Sequence, residues 1–411
     1  MKASIPVFSI AEKSLARCTQ CGICDEIVAC SSLYAGYAED CVGCGACYLA
    51  CPNEAIEMKD REEGNQIRIR VDDKNFSVPE KVTVKKALEL LGYRVFAPCE
   101  VGGCYSCAVE IRGETRPSCV TGVKEGMEVK TEFSGDRTPR RLVHGWMGHS
   151  VGGVGTPWHL KRVYGYVEAA AFACGCNLRC PQCQNWTTTY CGKEVALTPR
   201  EAAVLMSDAR RRSRVDRMAI SGGECTLNRS WLVEYIHELR RLNHDEKARF
   251  HIDTNATILT SDYIDELIES GMTDIGPDLK GFYLETFMRI TGLKDKDLAT
   301  EYHKTSWEAV RYLIDRYKNR IFIGIGIPYN RDLISLEEIA RTGEEIFKID
   351  PEVQVCALDY RPEFRRKNIS RPGYEEMVRV WKALKATGLR TVICQTERGH
   401  IGPDEQTNLY A

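Results

Sequence analysis

Cysteine placement constrains this chain more than any other feature. Of 20 cysteines in 411 residues, 12 fall before residue 120, six lie between 174 and 225, and the last two are Cys356 and Cys394. Their intervals are short and regular, as in CTQCGIC from residue 18 and CVGCGACYLAC from residue 41. A short secreted chain so rich in sulfur would read as a disulfide scaffold. Here the opening MKASIPVFSIAEKS meets Glu12 and Lys13 before an export-type apolar run can build, so metal ligation in a cytoplasmic chain is the expectation. At roughly 100–200 residues per domain the length allows two to four domains. The 56 Lys plus Arg nearly balance 58 Asp plus Glu, which argues against a dedicated nucleic-acid binder. No run approaches the roughly 18 uninterrupted apolar residues of a spanning helix, so no membrane association is expected.

After about residue 165 the texture becomes alternating strand and helix: RMAI then WLVEYIHELRRL, ARFHID then SDYIDELIES, NRIFIGIGI then SLEEIARTGEEIF. Further strands are expected at 167–173, 273–279, 352–358 and 390–394. This alternation predicts a parallel α/β sheet or barrel. Thr198, Pro199 and Glu201 form a capping box with proline at the first helical position. Residues 134–165 read as a Gly-rich linker. Its His144, His149 and His159 are either packed side chains or metal ligands.

Cys41, Cys44, Cys47 and Cys51, followed by Pro52, spell C-x2-C-x2-C-x3-C-P, the run that wraps thiolates round a four-iron cluster. The fourth cysteine of such a run ligates the other cluster where two are present, and Cys18, Cys21, Cys24 and Cys30 supply the second run. The pair resembles a bacterial-type ferredoxin over residues 1–62. Five residues instead of three precede Cys30, and a zinc or empty site at 18–30 stays open as an alternative. Over residues 63–133 a hairpin (IRIRV, DDK, NFSV) and a helix (VTVKKALELLG) lead into Cys99, Cys104, Cys107 and Cys119. That spacing resembles the two-iron domain of succinate dehydrogenase iron-sulfur subunits, a β-grasp ferredoxin, with a four-cysteine zinc site as the other reading. Gly102 and Gly103 let the loop backbone approach the sulfides.

Cys176, Cys180 and Cys183 give C-x3-C-x2-C after the apolar segment VEAAAFA, and three ligands leave one iron of a third four-iron cluster open. This resembles the radical S-adenosylmethionine (SAM) superfamily. The resemblance extends to Ser221, Gly222, Gly223 and Glu224, similar to the family's GGE motif at the methionine amine. Asp253, Thr254 and Asn255, then Asp278, Leu279 and Lys280, resemble the DTN and DLK segments of the pyruvate formate-lyase activating enzyme group. In that group the aspartates and threonine bind a monovalent cation and the lysine faces the cosubstrate carboxylate. The resemblance implies a partial (β/α)6 TIM-like barrel over 166–411, with these motifs at strand C-termini, where α/β barrels build their sites. It also implies 5′-deoxyadenosyl radical chemistry in an anaerobic setting, with three 4Fe-4S clusters and one 2Fe-2S cluster as an electron relay fed by a low-potential donor.

The chain departs from that pattern in places. Gln182 stands where an aromatic residue commonly touches adenine, and Cys225 where proline is usual, as either a packed residue or a thiol near the radical. Cys174 and Cys191 read as buried thiols, Cys356 and Cys394 as core. Asp359, Tyr360, Arg361, Glu363 and Arg365 either overhang the site or form a solvated loop; Arg210, Arg211, Arg212 and Arg214 read as a solvated helix end or a docking patch. Glycyl radical activases with extra ferredoxin domains generally insert them after the cluster motif, whereas here they precede it. The client is therefore a glycyl radical enzyme or, alternatively, a small molecule, cofactor precursor or other protein. An electron-transfer subunit is the reading from another class.

Overall fold

The computed structural model describes residues 8–28, 30, 40–131, 138–161 and 165–409. They divide into two units: residues up to 144 with 173–177 and 185–198, and residues 145–172, 178–184 and 199 onward.

The first unit contains two small modules. In one, Ser9–Lys13 pairs antiparallel with Ile56–Asp60, in register from Ser9↔Asp60 to Lys13↔Ile56. Its short helices Ile23–Glu26 and Ala46–Ala50 each start from a glycine, Gly22 and Gly45, with φ of 77°. Only glycine enters that left-handed region without a Cβ penalty, so each cysteine run can turn sharply into its helix. The other module is a five-stranded mixed sheet in the order Lys74–Pro79, Gln66–Val71, Met127–Lys130, Ala108–Ile111, Glu114–Pro117. The first hairpin turns at Asp72 and Asp73, both with positive φ, the two-residue turn that matches strand twist. The helix Val84–Leu90 begins where Thr83 Oγ1 accepts from Lys86 N at 3.1 Å. Val84, Ala87 and Leu88, spaced on one helical face, bury against Ile69, Val71, Val109 and Val129 of the sheet.

The second unit is the α/β domain. Arg217–Gly222, Arg249–Thr254, Asp274–Pro277, Phe322–Tyr329, Gln354–Asp359 and Val392–Gln395 pair in parallel, each with the next. Glu168–Ala173 neighbours the first of them. All seven strands expected from the sequence are present. Helices connect them, as parallel neighbours require. Pro199–Ser213 begins at the proline of the expected box. Arg229–Leu242 buries Trp231, Leu232, Tyr235, Ile236 and Leu239, one stripe of a 3.6-residue period, and Asn228 Oδ1 caps it by accepting from Trp231 N. At the far edge Gly399–Ile401 and Thr407–Leu409 add antiparallel strands that cover the last parallel one. No helix among the described residues is long and apolar enough to cross a membrane.

Candidate functional site

In the first unit the last cysteine of the first run, Cys30, lies with the second run. The sulfurs that act on Cys47 are Cys44, Cys30 and Cys41; those that act on Cys24 are Cys21 and Cys18. Cys30, Cys41, Cys44 and Cys47 line a cavity of about 1200 Å³. Backbone N–H groups donate to cysteine sulfur: Gly43 N to Cys41 at 3.4 Å, Gln20 N to Cys18 at 3.4 Å, and Ala55 N to Cys51 at 3.3 Å. Burial pushes the Cys44 thiol up to about 11, so four thiolates gathered here call for the positive charge that iron supplies. The donor set fits a cluster.

Cys99, Cys104, Cys107 and Cys119 are all buried and hydrogen-bond among themselves, Cys99 to both Cys104 and Cys119, and Cys107 to Cys119. Glu100, Gly102 and Tyr105 have positive φ, which curls the loop round the sulfurs. Ser118 Oγ donates to Cys107 O at 2.7 Å and anchors the far end. Four converging sulfurs complete a ligand set without outside donors, which fits a two-iron cluster.

In the second unit the motif residues gather at the C-terminal ends of the parallel strands. Ser221, Gly222 and Gly223 are half-buried, while Glu224 turns inward. Its Oε1 accepts from Thr226 N at 3.0 Å, Thr226 Oγ1 at 2.7 Å and Thr254 Oγ1 at 2.7 Å, and its Oε2 accepts from Asn255 N at 2.7 Å. The carboxylate thus ties the loop after one strand to the end of the next. Asn255 Oδ1 in turn accepts from Thr257 N and Oγ1.

Asp253 belongs to a buried charge network that sequence reasoning missed. Its Oδ1 lies 3.1 Å from His251 Nε2 and accepts from Gly155 N at 3.3 Å, and His251 Nδ1 lies 3.1 Å from Glu168 Oε2. Burial pulls the His251 imidazole down, but Asp253 and Glu168 on its two nitrogens raise it to about 9. Arg217 Nη1 donates to Asp274 Oδ1 at 2.7 Å beside it. The available signal was Glu168, a charge inside the apolar run VEAAAFA, and His251, on the same strand face as Asp253 two residues on.

Lys280 Nζ lies 3.0 Å from Asp278 Oδ2 and donates to Tyr360 Oη at 3.1 Å. Burial disfavours its charge, but Asp278 and Tyr360, with Cys180 nearby, hold the ammonium well above its ordinary value. Burial pushes Cys180 up to about 12, with Lys280 acting against it and Cys183 adding to it. The structure therefore brings Cys180, Cys183, Asp278, Lys280 and Tyr360 together. Cys176 belongs to the first unit with Cys174 and Gly175. The two carboxylates expected to share a monovalent cation each hold a cation of the chain's own, His251 on Asp253 and Lys280 on Asp278. That donor set does not fit a further ion.

The remaining departures now have partners. Gln182 is buried; its Nε2 donates to Ile290 O at 2.8 Å and its Oε1 accepts from Arg366 Nη1 at 2.8 Å. Arg365 N and Arg366 N both donate to Pro181 O at 2.9 Å, so the loop after Gln354–Asp359 closes on the cluster motif instead of standing in solvent. Cys225 is fully buried and its thiol donates to Asp253 O at 3.2 Å, as a packed residue would. His144 pairs with Thr188 Oγ1 and His149 with Glu168. Arg210 forms a two-pronged pair with Asp245, while Arg211 and Arg212 pair with Asp208.

Cysteine-lined modules joined to an α/β domain of TIM-like kind, with charged groups at its strand ends, define a class of iron-sulfur protein. The family descriptions that match agree with it: the radical SAM superfamily over residues 171–343, a 2Fe-2S iron-sulfur cluster binding domain over 64–134, and a 4Fe-4S binding domain over 37–57. The chain carries a radical SAM domain behind ferredoxin-type domains of both kinds. Similar solved structures include coproporphyrinogen III oxidase from Escherichia coli, at 16% identity and TM-score 0.35, covering 47% of this chain and 45% of that one. Streptococcus suis SuiB bound to its precursor peptide SuiA matches at 14% identity and TM-score 0.40, covering 55% and 47%. HydG, a maturase of the [FeFe]-hydrogenase, matches at 15% and 0.38, covering 56% and 52%. The chain spans about half the length of these solved relatives. No curated protein sequence matches it.

Proposed function

We propose that this chain cleaves SAM reductively and takes a hydrogen atom from a client, drawing electrons through its own clusters. Cys176, Cys180 and Cys183 would hold a four-iron cluster with one iron left for the methionine end of SAM; when bound, it supplies the electron that breaks the sulfonium bond and releases a 5′-deoxyadenosyl radical. The chain's own groups bind and orient. The half-buried backbone at Ser221–Gly223 receives the methionine ammonium, Glu224 fixes that loop against Thr254 and Asn255, and Lys280 presents its ammonium to the carboxylate. Asp278 and Tyr360 hold Lys280 in place. The barrel-type domain is read as a partial (β/α)6 barrel and the two-iron module as a β-grasp ferredoxin.

The single observation that supports this most is the buried Lys280, paired to Asp278 and Tyr360 beside Cys180. The DTN and DLK segments favour a glycyl radical enzyme as client and the chain as its activase. Ferredoxin modules placed ahead of the radical domain favour the second reading, modification of a small molecule or another protein with electrons consumed in each turnover. In either case a low-potential donor outside the chain feeds the relay, and the clusters require oxygen-free handling.

Anaerobic incubation of the reconstituted protein with dithionite and SAM should yield 5′-deoxyadenosine; none from protein with intact clusters rejects the enzyme. Deuterium passing into 5′-deoxyadenosine from a glycine-labelled partner identifies an activase, whereas a changed metabolite identifies the rival. Lys280→Met should weaken SAM binding about tenfold to a hundredfold, since a hydrogen bond to a charged group contributes ~1.5–3 kcal/mol. Binding unchanged by that substitution would remove Lys280 from the site.

A further inference from the structure

Packing within the first unit bears on the order of the carriers, and the argument rests on the relay reading above. Two glycines interlock there. A Cβ at Gly175 would lie 2.9 Å from Cys99 Cβ, 3.1 Å from Cys104 N and 3.2 Å from Cys99 Sγ. A Cβ at Gly103 would lie 2.9 Å from the carbonyl carbon and Cβ of Cys174 and 2.9 Å from Cys191 O. Any side chain at either position would force the segments apart. Gly103 O accepts from Leu142 N at 3.2 Å, Leu142 O accepts from Cys174 N at 3.0 Å, and Arg141 Nη2 donates to Cys174 O at 3.2 Å, so the contact is also pinned by hydrogen bonds. The residue after Gly175 is Cys176, first of the three-cysteine motif. The two-iron loop therefore touches the chain one residue short of that cysteine, through its own ligands Cys99 and Cys104.

The other side of the two-iron module meets the second cysteine run. A Cβ at Gly122, three residues after Cys119, would lie 2.5 Å from Val42 Cγ1, between Cys41 and Cys44. Lys86 Nζ donates to Gly43 O at 2.8 Å across the same contact. The Cys18 run approaches differently: Ile27, three residues beyond Cys24, packs its side chain against Leu142, Cys174 and Cys191, Ile27 O accepts from Gly192 N at 3.0 Å, and Asp25 O accepts from Lys193 Nζ at 2.8 Å, with no cluster cysteine among these contacts.

We infer that the two-iron centre is the last carrier before the cluster held by Cys176, and that the centre at Cys30, Cys41, Cys44 and Cys47 feeds it. Electron tunnelling falls steeply with edge-to-edge distance, so a path through a ligand cysteine and one glycine outruns the longer path that runs from Asp25 and Ile27 through residues 191–193. Each transfer moves one electron: the two-iron centre is oxidised as the next cluster is reduced, and a one-electron low-potential reductant outside the chain restores it.

The test uses the full-length holoprotein, reduced with dithionite and read by pulsed electron paramagnetic resonance. The two-iron signal should relax faster than in a Cys176→Ser/Cys180→Ser/Cys183→Ser variant, which lacks the radical-forming cluster. Gly103→Leu should lose that enhancement and slow single-turnover 5′-deoxyadenosine formation driven by a one-electron protein donor in place of dithionite. Two-iron relaxation indifferent to the triple substitution, with a four-iron signal responding in its place, would overturn the order. So would a Gly103→Leu protein that loses the enhancement yet turns over at the wild-type rate with the protein donor. Failure of the enzymatic reading itself looks different: the intact holoprotein then makes no 5′-deoxyadenosine under dithionite.

Discussion

Glu224 shows how one side chain can carry a loop. It is buried, and four donors from Thr226, Thr254 and Asn255 converge on its two oxygens. Glu224→Ala strands those donors and should cost about 3 kcal/mol. Glu224→Gln keeps one carbonyl acceptor but turns an NH2 toward a donor, so it should recover only part of that loss, as urea midpoints would show. The motif predicted a glutamate at this position, but not that its carboxylate is spent on the protein. The partners of Lys280 were half legible: Asp278 lies two residues away, whereas Tyr360 is 80 positions distant and no spacing rule links them. His251 and Glu168 went unread for the same reason, since their ion pair spans 83 positions.

Periodicity placed the elements well, because parallel strands and amphipathic helices write their burial into the sequence directly. All seven strands fall where alternation put them, with ends shifted by at most three residues, as is usual where ladder bonding decides the boundary. The helix Val84–Leu90 depends on its cap. Thr83→Ala should cost about 1 kcal/mol, measurable as a lower melting midpoint of the ferredoxin-type module. The edge strand Gly399–Ile401 carries His400, which burial, aided by Lys161, lowers to about 3. In the unfolded chain it titrates near 6.5. The unfolded state therefore binds more protons between those values, and the stability His400 contributes is present above about pH 6.5 and lost as pH falls toward 3. His400→Gln should flatten that part of the acid limb in denaturation midpoints taken at falling pH.

At the scale of the whole molecule the two units should differ in what holds them. Among its described residues the smallest module buries little more than Ala11, Val28, Ala46, Leu49, Ala50, Ala55 and Ile56, too few for independent stability without metal. Anaerobic iron chelation should therefore raise hydrogen exchange across residues 8–60 while the parallel strands from Arg217 to Gln395 stay protected. Equal protection before and after chelation would contradict a metal-held module. Cys104→Ser should lower the ratio of donor-driven to dithionite-driven 5′-deoxyadenosine formation, and an unchanged ratio would remove the two-iron centre from the relay. The cysteine runs, the strand and helix order and the motif residues were readable in the chain alone, because cysteine spacing and burial period along an element are local properties. Tertiary structure alone decided that Tyr360 holds Lys280 and that Gly175 lies against Cys99. Those are contacts between segments far apart in sequence, fixed by how side chains and glycine gaps fill space, and no local pattern encodes them.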